Sequence, residues 1–100
     1  MYVTMNLSGK VASWDLVNNK AGKSVKTGNA ARSLAINADG SHLFVVNYKS
    51  DTMSRVRTSD MKVTQNINVC NEPIGITYDN PTGNTWIACY KGQIKIYSNN

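Results

Sequence analysis

His42 is the only histidine in this 100-residue chain, so no pair of imidazoles can share a metal or relay a proton. It aligns with a turn residue of the internal repeat described below, and a solvated turn position is expected for it. Cys70 and Cys89 are the only thiols, and they lack the C-x-x-C spacing of a zinc site. Both should fall on the same rim of the fold, offset along their strands by several residues, and they are expected to be reduced and unbridged. The six acidic residues, Asp15, Asp39, Asp51, Asp60, Glu72 and Asp79, sit at turns or strand ends. No two are set to face each other, so paired-carboxylate acid/base chemistry is unsupported. No catalytic residue, metal ligand set or cofactor is expected from these types and spacings. Trp14 and Trp86 are expected to wedge between sheets as core. The most suggestive set is Arg32, Asn47, Tyr48, Lys49, Asn71, Glu72, Tyr90 and Lys91. Tyr48-Lys49 and Tyr90-Lys91 recur at the repeat step, and aromatic groups beside cations suit recognition of a protein partner or an anionic ligand.

The elements that must position these residues follow from a repeat. Phe44-Val45-Val46-Asn47-Tyr48 returns as Trp86-Ile87-Ala88-Cys89-Tyr90, and Tyr2-Val3-Thr4-Met5-Asn6 precedes it by the same 42 residues. Val11 falls on Met53, Trp14 on Val56, Gly28-Asn29 on Cys70-Asn71, and Leu34-Ala35-Ile36 on Ile76-Thr77-Tyr78. Within one repeat, four strands are expected at residues 32–37, 43–48, 52–58 and 62–69. Turns are marked by Asp39-Gly40, Ser50-Asp51 and Ser59-Asp60. Leu43-Phe44-Val45-Val46 is apolar without alternation, which requires cover on both faces of its sheet. A repeat of about 40–45 residues with four short strands is the signature of a β-propeller blade. Ten antiparallel strands with essentially no helix are expected, inner strands beginning near Arg32 and Ile74. That makes about two and a half blades: 1–30 without an inner strand, 31–71 complete, and 72–100 without an outer strand.

The stretch SLAINADGSHLFVVNYKSDTMSRVRTSDMKVTQNINVCNEPIGI resembles the YVTN repeat family of β-propellers. Tyr2-Val3-Thr4-Met5 and Phe44-Val45-Val46-Asn47 are the counterparts of the tetrapeptide that names the family. Ser50-Asp51-Thr52, Lys62-Val63 and Glu72-Pro73 also fit its pattern. Val11-Ala12-Ser13-Trp14-Asp15 is similar to the strand end of WD repeats. The chain departs from the pattern at Arg55 and Arg57, where apolar and acidic residues are usual, and at Cys70, which stands for a glycine. The resemblance implies a propeller fold that serves many roles, and a cell-surface or secreted setting if the chain is an excerpt of such a protein.

The net charge of +5 is scattered. Lys20, Lys23 and Lys26 flank one outer strand, which fits guarding of a sheet edge, and no basic groove with interleaved aromatics marks a nucleic-acid site. No apolar run is long enough to span a bilayer and no signal peptide is legible, so a complete chain would be cytoplasmic. A ring needs at least four blades. If each bare end exposes on the order of 200–400 Å² of apolar sheet, covering both is worth roughly 10–20 kcal/mol. Residues such as Tyr2, Val3, Ile94 and Ile96 are expected on those ends. Further blades, or copies of the chain forming a dimeric or trimeric ring, are therefore the expected partners. The expected function is a non-enzymatic scaffold for protein interaction or surface binding. The alternative is a fragment of a lactonase-like or quinoprotein-like catalytic propeller whose active-site residues lie outside this chain.

Overall fold

Residues 1–6 and 8–98 are described by the computed structural model. They form ten strands and no helix: β1 (Tyr2–Met5), β2 (Lys10–Asp15), β3 (Lys20–Lys26), β4 (Ala31–Ile36), β5 (His42–Asn47), β6 (Thr52–Arg57), β7 (Lys62–Asn68), β8 (Pro73–Asp79), β9 (Asn84–Cys89) and β10 (Ile94–Ser98). Three antiparallel sheets result, ordered β1-β2-β3, β4-β5-β6-β7 and β8-β9-β10. Each is built from hairpins between neighbouring strands, so every connection within a blade is local. The expected inner strands begin one residue early, at Ala31 and Pro73.

The repeat is written in the backbone as well as in the side chains. Left-handed φ values recur 42 residues apart at Gly9 and Asp51 (66° and 55°), Asn19 and Met61 (53° and 53°), and Ala30 and Glu72 (56° and 52°). Non-glycine residues adopt this conformation at a steric cost, so its return at matching places shows that the turns, not the side chains, set the local path. A bulge also recurs at the start of both inner strands, between Ala31 and Ser33 and between Pro73 and Gly75.

Side chains alternate across a strand, and β5 uses both sides. Leu43 and Val45 enter one apolar layer with Val11, Ala31, Val56 and Met61, closed by Tyr2, Val25, Leu34 and Val63. Phe44 and Val46 enter a second with Met53, Cys70, Ile87 and Cys89, closed by Ile67, Val69, Ile76, Tyr78 and Tyr97. The Phe44 and Tyr78 rings stack across the second layer, centroids 5.8 Å apart and planes within 3°. The expectation of a strand covered on both faces therefore holds, and the middle blade is the covered one.

Two expectations need correction. Tyr2 is not on a bare end. It packs into the first layer, between the first and second blades, as its repeat counterpart Phe44 packs between the second and third. Neither tryptophan is among the residues of the two layers. Trp86 is 42% exposed, because its side of the third sheet is open, and the Trp14 indole donates a 3.3 Å hydrogen bond to Asn19 Oδ1.

His42 is the first residue of β5 rather than a free turn residue, and it is half-buried. Its Nδ1 lies 2.9 Å from Ser41 Oγ and its backbone N–H donates to Asn37 Oδ1 at 3.1 Å. Burial, with Arg55 and Arg57 nearby, holds its imidazole below the usual histidine value against the opposing pull of Asp39. The two arginines that break the repeat pattern behave differently. Arg57 makes a two-point ion pair with Asp60, whereas Arg55 Nε is buried without a hydrogen-bond acceptor among the described residues.

Candidate functional site

The rim where second strands end and inner strands begin is shaped by the loops from Thr27 to Ala30 and from Val69 to Glu72. Each runs from the outer strand of one blade to the inner strand of the next. It is latched to the end of the next blade's second strand: the Tyr48 N–H donates to Ala30 O and the Tyr90 N–H to Glu72 O, both at 3.0 Å. The Asp51 carboxylate ties the second loop to the neighbouring turn by accepting the Glu72 N–H at 2.8 Å. Ser50 Oγ does the same for the Asn29 N–H, also at 2.8 Å.

Three of the eight expected rim residues come together as a chain of contacts. The Arg32 guanidinium lies 5.1 Å from the centroid of the Tyr48 ring, a cation–π geometry. The Tyr48 hydroxyl donates to Glu72 Oε2. Loss of the phenol proton would set two negative oxygens together, so this bond pushes Tyr48 above the usual tyrosine value. Partial burial and the carboxylate charge add to the rise, and Arg32 opposes it. Lys49, Asn71, Tyr90 and Lys91 are exposed on the same rim.

Asn47 is not a surface group. It is 0% exposed, its Oδ1 accepting from Thr27 Oγ1 at 2.8 Å and its Nδ2 donating to Thr52 Oγ1 and Ser54 Oγ at 3.1 and 3.0 Å. A buried carboxamide must be satisfied in this way, and the network holds the strand end to the loop beneath it.

The thiol expectation is overturned: Cys70 and Cys89 form a disulfide, their Cα atoms 6.2 Å apart, within the usual range for such a bond. The reason lies one blade earlier. The 42-residue step places Cys70 on Gly28 and Cys89 on Asn47, and there the loop passes directly under the strand end. A Cβ added to Gly28 would stand 2.7 Å from Asn47 Cγ. Two residues in that relation are in bonding reach whatever their separation along the strands.

Asp51, Ser50, Asn29, Ala30 and Asn6 also shape this rim and were absent from the expected set. The repeat carried a signal for the last three, since they fall on Asn71, Glu72 and Tyr48 respectively. Among the described residues, no group of three His, Cys, Asp or Glu is placed to hold a metal. Among the described residues, no helix is long and apolar enough to cross a membrane.

A test of the clasp is spectroscopic. A tyrosine whose folded value is raised contributes stability that is fully present below its ordinary value of about 10 and is lost as pH rises through the folded one. Ultraviolet titration of the folded chain should show a tyrosine ionising late, and Glu72→Ala should bring it back. The variant repeats the alanine already tolerated in the same backbone conformation at Ala30. An unchanged titration curve in the variant would mean that the bond does not exist in solution.

No family model and no curated protein matches the chain. Solved structures do. The chain is similar to Kuenenia stuttgartiensis hydrazine synthase, with 22% identity, a TM-score of 0.94, and coverage of 98% of this chain and 29% of that one. It is similar to dihydro-heme d1 dehydrogenase NirN, with 20% identity, a TM-score of 0.76, and coverage of 97% and 25%. It is also similar to the β-propeller domain of Myceliophteria thermophila Cps50 (Swd1), with 15% identity, a TM-score of 0.80, and coverage of 94% and 30%. The chain spans less than a third of the length of each. At these identities the likeness concerns the fold: the chain is a segment of β-propeller, about two and a half blades.

Proposed function

We propose that this segment is a non-enzymatic part of a larger or assembled β-propeller, acting as a scaffold for protein interaction or surface binding, of the YVTN type that its sequence resembles. The observation that carries this reading is the open face of the third sheet. Trp86, Ala88, Ile94 and Ile96 share that face, by the pairing of Ile94 with Ala88 and of Ile96 with Trp86. Ile94 and Ile96 are 66% and 52% exposed, and the face holds an apolar hollow of about 280 Å³. The second blade's matching residues, Phe44, Val46 and Met53, are buried by the third. The burial of the matching face of the second blade by the third supports the reading that this face receives another blade. The opposite end is similar in kind, with Val3 and Met5 exposed. The Cys70–Cys89 disulfide supports an oxidising, extracytoplasmic setting.

A head-to-tail stack of blades either closes into a ring or grows, and the isolated chain should accordingly associate at tens of micromolar. Ile94→Asp, which places a charge on that face, should abolish association, whereas Lys20→Ala on an outer strand should not. Light scattering reads both. A well-folded, cooperatively unfolding monomer at that concentration would refute the reading.

A further inference from the structure

The repeat supplies an internal comparison on the rim. Asn6, Asn29, Ala30 and Lys49 fall on Tyr48, Asn71, Glu72 and Lys91. Between the second and third blades, the Tyr48 hydroxyl donates to the Glu72 carboxylate. Between the first and second blades, the same two places hold the shorter Asn6 and Ala30. The backbone is alike in both, with the same left-handed residue and the same 3.0 Å latch to the next strand end. Where the shorter side chains stand there is a hollow of about 250 Å³, lined among the described residues by Asn6, Asn29, Ala30 and Lys49.

The chemistry of that lining is one-sided. Two carboxamides can donate, an ammonium can donate and carries a full charge, and no carboxylate is among the described lining residues. The ion pair recorded among the described residues joins Arg57 to Asp60 and leaves Lys49 out. Charge-assisted bonds from a lysine to a carboxylate are among the stronger polar contacts available on a surface. The net charge of +5 also draws acidic partners towards the chain.

We propose that this hollow binds the carboxylate of an acidic side chain from a protein partner. The incoming glutamate or aspartate takes the place that Glu72 fills one blade further on, with Lys49 as counter-charge and the Asn6 and Asn29 amides as donors. The proposal rests on the reading of the chain as a binding scaffold and names the partner chemistry at one site.

The test uses a blocked tripeptide, acetyl-Gly-Glu-Gly-amide, with its glutamine analogue as control, at fixed ionic strength. Saturation-transfer NMR observed on the peptide works whatever the size of the assembly. Saturable transfer to the glutamate methylenes, much reduced for the glutamine peptide, is expected. Lys49→Met should weaken binding about ten-fold, the scale of one lost charge-assisted bond. Ala30→Glu should abolish it by filling the hollow as Glu72 does, and circular dichroism should show both variants folded. Equal transfer to both peptides, or binding that survives Ala30→Glu, overturns the proposal. Association of the chain without peptide binding would sink this inference alone, whereas peptide binding by a stable monomer would sink the propeller-completion reading alone.

Discussion

Phe44→Ala should destabilise the fold by about 3–5 kcal/mol, the cost of truncating a fully buried phenylalanine. Phe44 is 1% exposed and lies at the centre of the layer between the second and third blades. The change removes its stacking on Tyr78, worth about 0.5–1.5 kcal/mol beyond area, and leaves a cavity. That cavity is walled by strands already tied at both ends, so the layer cannot collapse to refill it. A small domain has only about 5–15 kcal/mol in total, and the variant should stand at the edge of unfolding. Urea titration followed by circular dichroism measures the loss, with Lys20→Ala expected within about 0.5 kcal/mol of the parent. A Phe44→Ala chain within about 1 kcal/mol of the parent would mean that the two blades do not stack as described.

Reduction of the Cys70–Cys89 disulfide should cost about 3 kcal/mol, the chain-entropy value for a closed loop of roughly this size; the two cysteines are 19 residues apart. The loss acts through the unfolded chain. Both sulfurs lie in the apolar layer with Phe44 and Val46, and free thiols remain small apolar groups that fit the same space. Cys89→Ser should therefore lower the unfolding midpoint while leaving a native-like circular dichroism spectrum. No thiol should titrate in the folded, unreduced chain, and its intact mass should be two hydrogens below that of the reduced form. An unfolding midpoint insensitive to reductant would contradict the bond.

These expectations divide between what is encoded locally and what is not. The ten strands and their antiparallel order are legible in the sequence because turn chemistry and side-chain alternation act over a few residues. Asp39-Gly40 turns the chain wherever it stands, and an unbroken Leu43–Val46 run demands two apolar neighbours. The 42-residue step then multiplies the local signals into an architecture. The same logic puts Arg32, Tyr48 and Glu72 on one rim, whereas their contacts with one another come from the tertiary structure.

What the sequence by itself did not determine is which equivalent residue has a neighbour. Tyr2, Phe44 and Trp86 occupy one repeat position, yet the first two are packed between sheets and the third is open, because a strand's face is assigned by register but covered only by stacking. Asn47 reads as a rim residue and is buried because the loop at Thr27–Gly28 passes beneath it. Cys70 and Cys89 read as offset along their strands and are bonded because the corresponding loop passes beneath Cys89. The hollow beside Lys49 is lined by short side chains from different blades, Asn6 and Ala30. Each depends on how closely one sheet approaches the next, a distance that no periodicity within a single strand records.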